Sequence, residues 1–229
     1  MKNTEAFMFA TEEDLIKRLK KEYINKLFFD EVGGGYGIAD LIVIKNKTDF
    51  IQYFESRNGV FLKNNDQIKI FMYLWKKKKG VCFEEILSNH YIPAEKLKYK
   101  VLKYLTEIEA VILKDGKYFR NKSFYIFSAD IVAIEGKLSN WQAALTQAIR
   151  YLRFAKSAYV ALDMDYIHRV DLNEFKKYNI GLISVGSKVE VMYKPQSQKP
   201  IDPVMRYRIA ENIIQNSNLN TGRLRKVHF

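Results

Sequence analysis

Residues 131–138 read IVAIEGKL. Four apolar residues in a row suit a buried strand, and strand alternation puts Glu135 and Lys137 side by side on one face. A carboxylate and an ammonium at the end of an apolar strand are costly to desolvate unless each has a partner or a chemical task. Any fold for this chain must therefore bury one end of the strand and furnish polar company at the other. Taken alone, the pair is an ordinary strand-end ion bridge. Its meaning depends on what the rest of the chain sets beside it.

Upstream, Thr11–Leu27 reads as an amphipathic helix. Thr11 suits the N-cap, Glu12, Glu13 and Asp14 suit the positive end of the dipole, and Leu15, Leu19 and Tyr23 recur at four-residue spacing. Gly33–Gly35 and Gly37 then break an apolar pattern, which predicts strand, glycine-rich turn, and a second strand over Ile38–Ile44. No Gly-Lys-Ser/Thr follows and no helix opens, so these glycines are not a phosphate-cradling loop. Asp40 lies among Ile38, Leu41, Ile42 and Val43, where a carboxylate needs a partner or a cation. Asp130 competes for that role, but it stands an odd number of residues before Glu135 and would face the other side of one strand.

Residues 59–122 differ in character. They hold 14 lysines and arginines against 7 acids, so +7 of the chain's +12 is concentrated there. Helices are predicted over Asp66–Lys78, Phe83–Asn89 and Ala94–Ile108, with Pro93 preceding the third and a hairpin around Asp115-Gly116 closing the segment. Ile86, Leu87, Leu97, Val101, Leu102 and Leu105 have the spacing to pack the three helices together. The order resembles a winged helix-turn-helix, inserted as a separate domain at 59–122 between two parts, 1–58 and 123–229, of a larger one. The resemblance implies that Lys96, Lys98, Lys100 and Lys103 on the third helix, with Lys117 and Arg120 on the hairpin, face nucleic acid. A solvated lysine face, or a winged helix that binds protein, is the plainer alternative.

After the central strand, Asn140–Phe154 is helical by pattern. Ala158–Leu162, Ile180–Val185 and Val189–Tyr193 read as strands, with a helix at Asp171–Tyr178 and a terminal one at Val204–Ile214. Strands and helices alternate, which predicts an α/β fold with a sheet covered by helices. No run of apolar residues is long enough to span a bilayer, no signal peptide is evident, and Cys82 is the only cysteine; a cytoplasmic protein without disulfides is expected. His90, His168 and His228 are scattered, which gives little basis for a zinc site or a Ser-His-Asp triad.

In order along the chain stand a helix with Glu12, a strand with Asp40, a strand with Glu135-x-Lys137, and a helix with Gln147-Ala-Ile-Arg-Tyr151. This resembles the PD-(D/E)XK nuclease superfamily over about residues 1–48 and 124–194. TEEDL is similar to the acidic helix motif of the Holliday-junction resolvases, and QAIRY to the QxxxY signature of the RecB-like branch. Ala39 replaces the family's proline, and the 135 − 40 = 95 residues between Asp40 and Glu135 are many for the family until the insert is removed. The resemblance implies a restriction-endonuclease-like mixed sheet flanked by helices, and a metal-dependent deoxyribonuclease, endonuclease in preference to exonuclease, acting on DNA. It also implies that Gln147 orients the substrate or Lys137 and that Tyr151 supports it.

The chemistry of the residues agrees. Asp40 and Glu135 are hard oxygen ligands suited to Mg2+ or Mn2+, the Gly136 carbonyl can add a third oxygen, and Glu12 an outer or second-metal ligand. Lys137 beside two carboxylates stays cationic and can position water or stabilise developing charge. Two alternatives remain at this point: an inactive nuclease core that only binds DNA, and a winged-helix transcription regulator. The latter predicts a homodimer on spaced half-sites.

Overall fold

The computed structural model describes residues 9–33 and 37–219. The N-terminal eight residues, Gly34, Gly35 and the basic tail with His228 lie outside the described residues. By contacts the chain forms two compact units, 1–47 with 129–209, and 48–128 with 210–229.

The first unit is an α/β structure built on a mixed sheet. Among the described residues six strands join it: β1 (Leu27–Gly33), β2 (Ile38–Ile44), β6 (Ile131–Lys137), β7 (Ser157–Asp163), β8 (Gly181–Val185) and β9 (Val189–Tyr193), in the order β1-β2-β6-β7-β8-β9. The central β6-β7-β8 pairs are parallel and the flanking pairs antiparallel. The helical connections α7 (Trp141–Tyr151) and α8 (Leu172–Tyr178) make the parallel pairs possible.

Helix α1 (Glu12–Lys20) forms where the capping pattern predicted. The Thr11 hydroxyl accepts from the Asp14 amide at 3.1 Å, acids fill the first turn and bases the last. The helix gives way to a 3-10 turn at Lys21–Tyr23 and stops well before Leu27, because Leu27 pairs with Ile44 in β1. Leu15, Ile16 and Leu19 pack on one sheet face with Leu41, Val43, Val132, Ile134, Ala161 and Ile183. Gly136 permits the close approach: a Cβ there would lie 2.6 Å from Ile16 Cδ1. By strand alternation Glu135 and Lys137 point to the opposite face. There α7 packs against β6 and β7 through buried Ala144, Leu145, Ala148 and Tyr151. The sheet is thus flanked by a helix on each side.

The second unit contains the basic segment. It runs α2 (Lys47–Ser56, its first residue belonging to the first unit), α3 (Asn65–Lys76), β3 (Val81–Cys82) and α4 (Phe83–Ser88), then a helical run of α5 (Ala94–Lys96), a π-helical stretch (Leu97–Leu102) and α6 (Lys103–Glu107). β4 (Val111–Lys114) and β5 (Lys117–Arg120) follow, and β3-β5-β4 form a small antiparallel sheet. Asp115 and Gly116 both have positive φ, 51° and 71°, as a two-residue hairpin turn of this twist requires. Ile86, Leu97, Val101, Leu102 and Leu105 are buried as the spacing predicts, whereas Leu87 is half-buried.

The unit extends beyond the 59–122 read from sequence. It takes in α2, which the sequence reading did not anticipate, and α9 (Pro203–Leu219) from Ala210 onward. Phe50 and Tyr53 of α2 meet the Phe127 ring edge-on at 6.2 and 5.2 Å. Beside them Arg57 and Glu211 are fully buried and paired at 3.2 Å. Glu211 also accepts from the Tyr53 hydroxyl and the Leu62 amide, both at 2.7 Å. The Arg57 guanidinium lies 3.7 Å from the Phe124 ring centre and 4.3 Å from that of Tyr53.

Candidate active site

Four chain segments bring their polar side chains together at the end of the first unit's sheet formed by β2 and β6. Asp40 leaves β2 and accepts the Gly136 amide on Oδ2 at 2.7 Å, a contact between residues 96 positions apart. Lys137 Nζ sits 2.8 Å from Glu12 Oε2, at the first turn of α1, and 3.3 Å from Glu135 Oε1. From α7 the Tyr151 hydroxyl donates to Glu135 Oε2 at 2.5 Å and lies 2.8 Å from the Ile38 carbonyl oxygen. Glu135 is 1% exposed and held on both oxygens. The carboxylate of Glu12 is half open to solvent.

Electrostatics set these acids apart from simple salt bridges. Burial pushes the Asp40 carboxyl above its ordinary range, and the fields of Glu12 and Glu31 add to the shift against the Gly136 hydrogen bond and Lys137. Burial likewise raises Glu135, with Asp40 adding and the Tyr151 hydroxyl opposing. At Lys137 partial burial works against the ammonium, but the Glu12 hydrogen bond and three nearby carboxylates outweigh it, and its pKa stands above that of a free lysine. Burial and the bond to Glu135 keep the Tyr151 phenol protonated.

Acids outnumber cations at this cluster, and the donors are carboxylates and carbonyls. Among the described residues no three Asp, Glu, His or Cys side chains are drawn close enough to enclose a metal by themselves. Mg2+ does not need such a cage: it keeps several waters and takes one or two carboxylates. The residues present fit that ion, since burial raises both Asp40 and Glu135, Asp40 adds to the rise at Glu135, and a hard dication offsets that cost. Asp40, Glu135 and the Gly136 carbonyl would hold it, with Glu12 on the outside.

Gln147 is half-buried one turn before Tyr151 and, among the described residues, makes no hydrogen bond to the cluster. The sequence competitor Asp130 is engaged elsewhere, with Lys156 at 2.8 Å. Glu31 was missed by the sequence reading. It lies in β1 between Asp30 and Val32, whose partners Leu41 and Ala39 bracket Asp40, and it has an uncommon φ of +51° for a strand residue. An acid just before the glycine run was the available signal.

In the second unit Lys98, Lys100, Lys103 and Lys117 are exposed. Lys98 lies 5.3 Å from the exposed Tyr99 ring. Lys96 pairs with Asp66 at 2.6 Å, and Arg120 donates to the Trp75 carbonyl at 3.1 Å. The Ile86 carbonyl oxygen lies 2.9 Å from His90 Nδ1 and accepts from it, and the His90 ring packs edge-on against Tyr73. No helix among the described residues is long and apolar enough to cross a membrane.

No family model matches the sequence, and no curated protein matches it. Among solved structures, the SPO1766 protein of unknown function from Silicibacter pomeroyi is similar at 21% identity over 42% of this chain and 64% of its own, with a TM-score of 0.32. This chain therefore spans somewhat under two thirds of that protein, and so loose a likeness carries no argument about fold or activity.

Proposed function

We propose that the chain is a metal-dependent DNA nuclease of the PD-(D/E)XK type, with the 59–122 segment as an inserted winged helix that grips the substrate. The observation that carries the reading is the convergence of Glu12, Asp40, Glu135 and Lys137 from α1, β2 and β6, with Tyr151 fixing one oxygen of Glu135. A fold alone would not need three acids, one of them buried and one half-buried, around one lysine. The helix–strand–helix–helix–strand–strand order of the basic segment supports the winged-helix reading.

Phosphodiester hydrolysis requires charge neutralisation at the phosphoryl oxygens, a directed water and a stabilised leaving oxygen. Mg2+ or Mn2+, when bound at Asp40, Glu135 and the Gly136 carbonyl, supplies Lewis acidity and acidifies water. Lys137, kept as an ammonium by its neighbours, donates hydrogen bonds to an attacking water or a phosphoryl oxygen. It does not serve as general base, because its pKa is raised. Glu12 holds the ammonium, Gly136 N–H orients Asp40, and Tyr151 orients Glu135. Gln147, half-buried on the same helix face, is in a position to meet substrate. Lys98, Lys100, Lys103 and Lys117 contribute phosphate contacts that give affinity without sequence information.

The test is cleavage of labelled linear, nicked, single-stranded and branched DNA by purified protein in Mg2+, in Mn2+ and in chelator, with binding followed by gel shift in Ca2+. Metal-dependent cutting that is lost in Asp40→Ala and Lys137→Ala while binding persists supports the reading. Salt-sensitive binding with no cutting of any substrate assigns the chain instead to DNA-binding proteins on an inactive core.

A further inference from the structure

The sheet face under α1 holds a hollow at the strand ends away from Asp40 and Glu135. Past the 3-10 turn that ends at Tyr23 no helix among the described residues covers the sheet, and a cavity of about 500 Å³ opens, a size suited to a small ligand. Its floor is the buried Val43, Val132 and Ile183, from β2, β6 and β8, and the exposed Val191 of β9 lines its edge. Val132 is three residues from Glu135, so the two point to opposite faces and stand about 10 Å apart along the strand. The hollow is therefore no part of the acid cluster.

Two tyrosines wall it. Tyr23 and Tyr159 are half-buried, and burial lifts both phenols, that of Tyr23 to about 12, so each remains a protonated donor with an apolar ring face. The rim is Lys26, Lys45, Lys47 and Lys194, with the amide of Asn25. No aspartate or glutamate is among the lining residues. Lys26, Lys45 and Lys194 are exposed and form no ion pair among the described residues, and Lys26 Nζ lies 5.1 Å from the Tyr23 ring centre.

Three exposed lysines, Lys26, Lys45 and Lys194, around an apolar hollow whose lining holds no acid focus a positive potential into it. A single carboxylate on an aliphatic chain would answer one of them. A molecule with several negative charges answers the rim, and an aromatic ring answers the tyrosine walls. We propose that this cavity binds a free nucleotide, with its base against Tyr23 and Tyr159 and its phosphates on the lysine rim. The proposal is independent of any nuclease activity.

The test is calorimetric titration of the full chain, in EDTA so that no hydrolysis intervenes, with each of the four common ribonucleoside diphosphates. The matching mono- and triphosphates, inorganic phosphate and decanoate are run beside them. Saturable binding of at least one nucleotide is expected, tightening from mono- to triphosphate. It should weaken about tenfold in Lys26→Ala and again in Lys194→Ala, each the loss of one charged contact. Val191→Trp, at an exposed edge-strand position, should abolish binding by filling the hollow, with circular dichroism confirming that each variant is folded. Absence of saturable binding by all four nucleotides, binding unchanged in the lysine variants, or tighter binding of decanoate than of any nucleotide would overturn the proposal.

Discussion

Two of the molecule's buried-carboxylate clusters are finished differently. In the second unit Glu211 is sealed among Arg57, Tyr53 and the Leu62 amide, so that one acid meets one guanidinium and two further donors. In the first unit Glu12, Asp40 and Glu135 share a single lysine, and Glu31 adds to their field. Burial pushes up the carboxyls of Glu211, Asp40 and Glu135 alike. At Glu211 every neighbour named opposes that rise, whereas at Asp40 and Glu135 other acids reinforce it. A balanced, closed cluster is what structure demands. An unbalanced cluster with an open side is destabilising in itself and points to chemistry.

If that contrast is right, substitutions at the two places separate activity from stability. Asp40→Ala and Lys137→Ala should each lower the initial cleavage rate by at least about a hundredfold, Asp40→Ala with the thermal midpoint nearly unchanged. Arg57→Ala or Glu211→Ala should leave cleavage per folded molecule intact at low temperature. Each strands a buried charge, so each should cost about 3–5 kcal/mol in denaturant unfolding. Equal losses of activity and stability at both places would erase the distinction.

A sharper probe is Tyr151→Phe. It removes the hydroxyl that holds Glu135 Oε2, and should cost about tenfold in rate through slack in a residue one step from the reacting atoms. Its stability cost should be about 1 kcal/mol by chemical denaturation. The smallest effect concerns Asp40→Asn. The raised pKa of Asp40 means that the folded protein takes up a proton at higher pH than the unfolded chain. That group's stabilising contribution is therefore complete below the unfolded carboxylate range and is lost as pH rises through the folded value. An amide keeps an acceptor for Gly136 N–H without the charge. Asp40→Asn should accordingly raise the melting point by about 2 °C at pH 7, and the gain should vanish in acid, as differential scanning calorimetry across pH can show.

The elements that follow from local pattern were legible in the sequence. The apolar run before Glu135 is β6, the Thr11 cap and acidic first turn are α1, and the Asp115-Gly116 turn closes the β4–β5 hairpin. Odd spacing set Asp130 apart from Glu135, and in the structure Asp130 pairs with Lys156. What local pattern did not carry is partnership across long stretches of chain. α2 is stabilised by Phe127 and by the neighbourhood of Glu211, 158 positions from Tyr53, so its helical signal alone was too weak to read. The Glu12–Lys137 contact spans 125 positions, and its two residues were nameable only as separate candidates. Glu31 escaped because its role depends on a strand register that pairs its neighbours with those of Asp40.

The most direct measurement is the initial rate at which wild type and Lys137→Ala cut one labelled DNA substrate, at matched folded fraction, in Mg2+ and after its removal with EDTA. The account predicts cutting by wild type in Mg2+ alone and at least about a hundredfold less by the variant, with equal DNA affinity in Ca2+. Cutting that survives EDTA, or a variant as active as wild type, would contradict it.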